Sequence, residues 1–290
     1  MNVVVEKENN IKDMDGEIKM IKVNNQVVDF KRFNDGTLRL NFPAGPSAEG
    51  GTATITWLYD SDLEISELYF LVRHLQAMYH LNLNLNMPYI NSARMDRYKD
   101  KSECFTLKYF CEFINNFNFN KVTVFDPHSR VSQGLLNNVE TEMPTDLILN
   151  LLKRLPNATL CFPDTGAQEK YSRLFDDVCF AFGVKDREWS SQKIKSLQIM
   201  GATHQIAGHD ILLCDDILSR GSTTYLASKQ LKELGANKIY VYVSHCENTV
   251  LGKHIDGQSL LDIPNLIERV YTTNSIYRGN HPKIEVIHKF

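Results

Sequence analysis

Asp215 and Asp216 close the apolar run at the head of ILLCDDILSRGSTT, and Ser219, Arg220, Gly221, Ser222 and Thr223 follow directly, ahead of the helical pattern YLASKQLKELGA. A loop between a strand and a helix gathers backbone N–H groups and the positive helix end at one point, which suits a phosphate. Two adjacent carboxylates would repel that anion unless they face ribose hydroxyls or a cation. The stretch therefore predicts a phosphorylated sugar as ligand. The plainer alternative is that Asp-Asp ends a strand and Gly-Ser-Thr caps a helix.

Four more polar clusters follow apolar segments: Arg94, Asp96 and Arg97; Asp126 and His128; Asp164 with Gly166; and Lys185 with Arg187. Arginine offers paired donors to phosphate oxygens, and lysine supplies a point charge that can follow a moving phosphoryl group. Carboxylates hold Mg²⁺ through one or two oxygens and leave its other positions to water and substrate phosphate. Together the clusters suit phosphoryl transfer with a magnesium nucleotide as second substrate. Singly, each also reads as a solvated turn, a capping histidine or an ordinary charged surface.

The elements that must carry these groups alternate. Leu68, Leu71, Leu75 and Met78 recur at helical spacing, LNLNLNMPY alternates as a strand until Pro88, and Phe110, Phe113, Ile114 and Phe117 mark a second helix before the strand KVTVF. The later chain reads as helix PTDLILNLLKRL, strand TLCF, helix EKYSRLFDDV, strand CFAFGV, a polar connection, strand HDILLCDD, helix, and strand KIYVYVSH. MNVVVE, EIKMIKV and VVDFKRF read as short strands, with Asn24-Asn25 and Asp35-Gly36 as turns, and AGPSAEGGT as a loop. Such β and α alternation predicts an α/β chain with two doubly wound, mostly parallel sheets divided near residue 140, and ligands bind at the carboxyl ends of such strands.

The 290 residues suffice for one large or two ordinary domains, with 43% hydrophobic and 23% charged residues as in globular proteins. A net charge of -3 gives no surface built for nucleic acid or anionic lipid, so small molecules are the expected partners. The six cysteines form no CxxC pair, and neither a leader pattern nor a spanning apolar run is present, which points to the cytoplasm.

FNDG (Phe33 to Gly36), PYINSARMDR (Pro88 to Arg97), FDPH (Phe125 to His128), PDTG (Pro163 to Gly166), Lys185-Asp186-Arg187 and LCDDILSRGSTT resemble, in order and approximate spacing, the motifs of the ribose-phosphate diphosphokinases, or phosphoribosyl pyrophosphate (PRPP) synthetases. The resemblance runs from residue 33 to about 275. It implies two phosphoribosyltransferase-like domains, 1–140 contributing the ATP site and 141–290 carrying the ribose-phosphate loop. The implied reaction is attack of the anomeric hydroxyl of ribose 5-phosphate on the β-phosphorus of Mg-ATP, releasing AMP. By position, Phe33 would stack on adenine and Asp35 bond to it, while Arg94, Asp96 and Arg97 would hold ATP, usually across a subunit interface of a homodimer or higher homo-oligomer. Asp126, His128 and Asp164 would meet Mg²⁺ and the triphosphate. Lys185 and Arg187, from a mobile catalytic loop, would stabilise the moving diphosphoryl group, with His128 also in the catalytic set. Asp215 and Asp216 would bind ribose hydroxyls, and Ser219, Arg220, Gly221, Ser222 and Thr223 the 5-phosphate.

The chain departs from the family pattern at Thr37, where an acid is usual, and at Met95, where glutamine is usual. Its sugar-phosphate loop reads Ser219-Arg220-Gly221-Ser222-Thr223 in place of Asp-Thr-Gly/Ala-Gly-Thr. Losing an acid and gaining an arginine favours more phosphate, so ADP-ribose stands beside ribose 5-phosphate as acceptor, its product serving NAD salvage. The family's N-terminal strand and helix and its last helix are not matched, which puts its hexamers and allosteric control in doubt. A PRPP-consuming phosphoribosyltransferase would share the loop without needing FNDG, SARMDR and FDPH. A catalytically silent PRPP synthetase associate would not need His128, Asp164, Lys185 and Arg187.

Overall fold

The computed structural model describes residues 20–40, 51–98, 100–175, 178–187 and 194–290. The expected strand MNVVVE, most of the loop AGPSAEGGT and the side chain of Arg187 lie outside the described residues. The chain divides into two compact units, one of residues 1–124 and 129–140, the other of 125–128 and 141–290. A contiguous division at 140 was expected; the four residues Phe125–His128 belong instead with the second unit.

The first unit opens with β1 (Ile21–Val23) and β2 (Gln26–Val27), joined through Asn24 and Asn25, both at positive φ as a tight hairpin requires. The strands β3 (Phe30–Arg32) and β4 (Leu38–Leu40) form a separate antiparallel pair. Next come β5 (Thr52–Trp57), α1 (Leu63–Tyr79), β6 (Asn82–Asn86), α2 (Thr106–Asn115), β7 (Lys121–Phe125), α3 (Val131–Leu135) and β8 (Val139–Glu142). The sheet order is β2-β1-β5-β6-β7-β8, with β5, β6 and β7 parallel. Leu83 and Leu85 of β6 turn into the core while its asparagines turn away from it, as strand alternation demands. Helix α1 starts three residues earlier than Ser66 and buries Leu68, Leu71, Val72 and Leu75; Met78, expected on that face, is exposed in the last turn, one residue before the helix ends at Tyr79.

The second unit contains α4 (Thr145–Arg154), β9 (Ala158–Phe162), α5 (Thr165–Tyr171), β10 (Phe180–Arg187), β11 (Ile194–Gly201), β12 (Asp210–Leu218), α6 (Ser222–Glu233), β13 (Ile239–Cys246), β14 (Arg269–Thr273) and β15 (Ile284–Ile287). Their order is β11-β10-β9-β12-β13-β14-β15, parallel except for the β10–β11 hairpin. The central strand β12 is apolar on both faces: Ile211 and Leu213 join one core cluster, Leu212 and Cys214 the other. Strands buried on both faces need such continuous apolar runs.

Two expectations are corrected here. Strand β12 continues through Ile217 and Leu218, parallel to β13, so Asp215 and Asp216 lie within the strand rather than at its end. Residues after Val184 are not an irregular connection: β10 runs to Arg187 and pairs with Ile194–Gly201, with a register shift between Asp186 and Arg187. Polar residues disguise an edge hairpin because its outer positions need no apolar side chain.

Candidate active site

The second unit's polar groups collect where β12, β13 and α5 meet. Asp126, in the left-handed region at φ 44, is wholly buried, and its backbone N–H donates to Glu142 O at 2.8 Å. Its Oδ1 lies 2.7 Å from Lys170 Nζ; its Oδ2 accepts from Tyr171 Oη at 2.6 Å and from Ser244 Oγ. Ser244 stands two residues from Tyr242 on one face of β13, and the two hydroxyls are 3.1 Å apart.

Asp216 follows the phase of Leu212 and Cys214, which points its carboxylate toward the cluster containing Tyr171. Its Oδ2 meets His128 Nδ1 at 2.8 Å and Lys170 Nζ at 3.1 Å, while its Oδ1 accepts from Ile217 N at 2.8 Å. Burial alone would raise this carboxyl, but the His128 hydrogen bond and the Lys170 cation hold it below the usual carboxylate range. Asp215 moves the other way: burial, then the Asp216 charge, then Asp164, push it well above its ordinary value. Neighbouring carboxyls driven apart in this way carry less negative charge than two free aspartates, which removes the objection to a phosphate close by.

Gly221 caps α6 at φ 84, a conformation open to glycine, and a Cβ there would meet Leu260 Cδ2 at 2.6 Å. Ser222 and Thr223 are therefore the first helical residues and not its cap, so their N–H groups face outward from the helix start. Ser219 Oγ donates to Glu247 Oε2 at 2.6 Å and lies 3.2 Å from Thr249 Oγ1. Arg220 is exposed and forms no ion pair with a described residue. Across the sheet, Lys185 Nζ on β10 donates to Asp164 Oδ2 at 2.6 Å and to Thr223 Oγ1 at 3.3 Å. Asp164 also caps α5, its Oδ1 accepting from Ala167 N at 3.0 Å. Only the strand position of Arg187 is described.

Phe33 in the first unit is 55% exposed, with the Arg39 guanidinium 5.9 Å from its ring centre. Asp35 Oδ1 accepts from Thr37 N and Oγ1, at 3.0 and 2.6 Å, and these bonds lower its carboxyl. Thr37 thus orients Asp35. Arg94, Asp96 and Arg97 share the turn after β6; Asp96 is buried and accepts from Arg97 Nε at 2.7 Å, leaving both arginines exposed.

The residues expected at a metal do not form a protein-built centre. Asp126 is enclosed, His128 is turned by its Nδ1 onto Asp216, and both Asp164 oxygens are engaged. Among the described residues no group of three or more His, Cys, Asp or Glu side chains could hold a metal ion. Lys170, Tyr171 and Ser244 are members of the site that motif reading passes over. The signal was present in EKYSRLF and in VSHC: a lysine beside a core tyrosine, and a serine and histidine inside an otherwise apolar strand.

Two units built on largely parallel sheets, with a carboxylate pair ahead of a glycine-capped helix in the second, define an α/β protein. No protein-family model matches the chain. It is 26% identical over 271 residues to ribose-phosphate pyrophosphokinase of Helicobacter hepaticus, covering 88% of this chain and 82% of that one. It is 23% identical over 266 residues to the enzyme of the same name from Bacillus caldolyticus, covering 89% and 80%. Phosphoribosylpyrophosphate synthetase from Mycobacterium smegmatis has the same fold, with a TM-score of 0.70 at 17% identity over 94% of this chain and 87% of that one. Over most of its length the chain is thus similar to ribose-phosphate pyrophosphokinases, and it shares the fold of a phosphoribosylpyrophosphate synthetase. Among the described residues no helix is long and apolar enough to cross a membrane.

Proposed function

We propose that the protein transfers the β,γ-diphosphoryl group of Mg-ATP to the anomeric hydroxyl of a 5-phosphorylated ribose, giving PRPP and AMP when the acceptor is ribose 5-phosphate. The observation that carries this reading is the convergence, within the second unit, of Asp215 and Asp216, the α6 start and Lys185. The 5-phosphate would take the Ser219–Thr223 backbone and hydroxyls, and the ribose hydroxyls the Asp215–Asp216 pair. Phe33, Asp35, Arg94, Asp96 and Arg97 would bind the nucleotide.

In the reaction the anomeric oxygen forms a bond to the β-phosphorus, the bond from that phosphorus to the α–β bridging oxygen breaks, and the hydroxyl proton is released. Lys185 and Arg187 would offset charge on the moving group, the kind of contact that acts on the transition state more than on the ground state. His128, fixed through Nδ1, has its Nε2 left for substrate. Magnesium would arrive with the nucleotide phosphates and neutralise their charge. A homodimer or higher oligomer and a cytoplasmic setting complete the reading.

Arg220, exposed and without an ion pair among the described residues, favours a second reading in which the acceptor is ADP-ribose, whose 5-position bears a diphosphate. The product would then be an ADP-ribose pyrophosphate. Incubation with Mg-ATP and each acceptor separately, with products identified by mass, tests both readings. AMP formed only in the presence of an acceptor is the expected result, and no AMP with either acceptor overturns the proposal.

A further inference from the structure

Lys170 Nζ donates to Asp126 O at 3.3 Å and to Asp216 Oδ2 at 3.1 Å, and it forms an ion pair with Asp126 Oδ1 at 2.7 Å. Its side chain is only 18% exposed. A lysine this enclosed stays ionised only where anions face it, and the two facing carboxylates raise it against the opposing effect of burial. Asp126, with Oδ1 on Lys170 and Oδ2 on Tyr171 and Ser244, turns no oxygen outward to a metal nucleotide.

We propose that Asp126 and Lys170 are a positioning pair for Asp216, and that Asp126 does not contact the metal nucleotide. The inference rests on the reading that Asp216 receives ribose hydroxyls. Asp126 holds the lysine from behind; the lysine, with His128 beside it, fixes Oδ2 of Asp216; and Ile217 N fixes Oδ1. The carboxylate plane is thereby set while lone pairs remain for the sugar, since an ionised carboxylate has about four acceptor sites. Tyr171 and Ser244 in turn keep Asp126 from rotating.

The test compares wild type with Lys170→Met, Lys170→Arg and Asp126→Asn, checking each by circular dichroism and thermal unfolding. Titration calorimetry with ribose 5-phosphate and, separately, ADP-ribose, without ATP, reads the sugar side. Magnesium titration of AMP release reads the metal side. Lys170→Met should weaken binding of the accepted sugar phosphate about tenfold or more, the scale of a lost charge-assisted hydrogen bond, and Lys170→Arg should recover most of it. Asp126→Asn should weaken sugar binding and leave the magnesium concentration for half-maximal rate unchanged. Should Lys170→Met not fold, Lys170→Gln, which keeps a donor, takes its place. A raised magnesium requirement in Asp126→Asn, or wild-type sugar binding in Lys170→Met (or in Lys170→Gln where that replaces it), overturns the inference alone. Wild-type protein that binds neither sugar phosphate overturns the proposed function and the inference together.

Discussion

Lys185 Nζ lies 2.6 Å from Asp164 Oδ2, which ties the edge hairpin to the cap of α5. The same ammonium touches Thr223 at the start of α6, so one cation on β10 reaches the starts of both α5 and α6. A charge held there in advance loses little on reorganising when substrate arrives, which is the condition for electrostatic catalysis.

Replacing it should therefore act on turnover. Lys185→Ala is expected to lower kcat by about two to three orders of magnitude with the circular dichroism spectrum intact, as removal of a transition-state donor does elsewhere. Steady-state AMP release measures it, and a wild-type rate would remove Lys185 from the catalytic set.

Arg220 offers a test of the acceptor. If ADP-ribose is used, Arg220→Thr should raise its KM by about tenfold or more, the usual scale for a charged hydrogen bond, with little effect on ribose 5-phosphate. Equal effects on both acceptors would mean that the guanidinium does not read the second phosphate.

Gly221 tests the loop's backbone. Gly221→Ala forces a side chain into left-handed geometry and against Leu260, and should cost about 1–3 kcal/mol of stability in urea unfolding. Sugar-phosphate binding should weaken as well, because the α6 start moves with its cap. An unchanged midpoint would show that Leu260 yields freely.

Glu64 gives the first unit a pH dependence of its own. Burial raises its carboxyl to about 7, although Trp57 Nε1–H and Asp60 N–H donate to Oε2 at 2.7 and 3.0 Å. Where the folded value is raised, the stabilising effect is complete below the unfolded value of 4.5 and is lost as pH rises toward the folded value. Stability should fall by on the order of 3 kcal/mol between about pH 4.5 and about pH 7 and then level off. Glu64→Gln should flatten that interval in urea titrations at several pH values. Parallel curves for the two proteins would rule out a raised carboxyl at this position.

The motifs from Phe33 to Thr223 and the alternation of strands and helices were legible because each depends on local spacing. Leu83 and Leu85, or Leu212 and Cys214, declare their faces by alternation alone. Lys170 was not legible, since a lysine on a short helix looks solvated until Asp126 and Asp216 are brought to it from distant parts of the chain. Asp215 and Asp216 were placed at a strand end for the same reason: charge usually stops a strand, and only the pairing of Ile217 and Leu218 with His245 and Cys246 carries β12 onward.

Residues Phe125–His128 are bordered on both sides by segments of the other unit. No single cut can thus liberate the second unit whole. A fragment starting at Thr141 would leave behind Asp126, stranding the Lys170 ammonium between an empty space and Asp216, and it would also lose the Phe125 carbonyl that His245 Nε2 meets at 3.0 Å. The interleaving makes the second unit's completion depend on a stretch made earlier in translation, so gene fusions and truncations that respect only linear order will sever its charge balance.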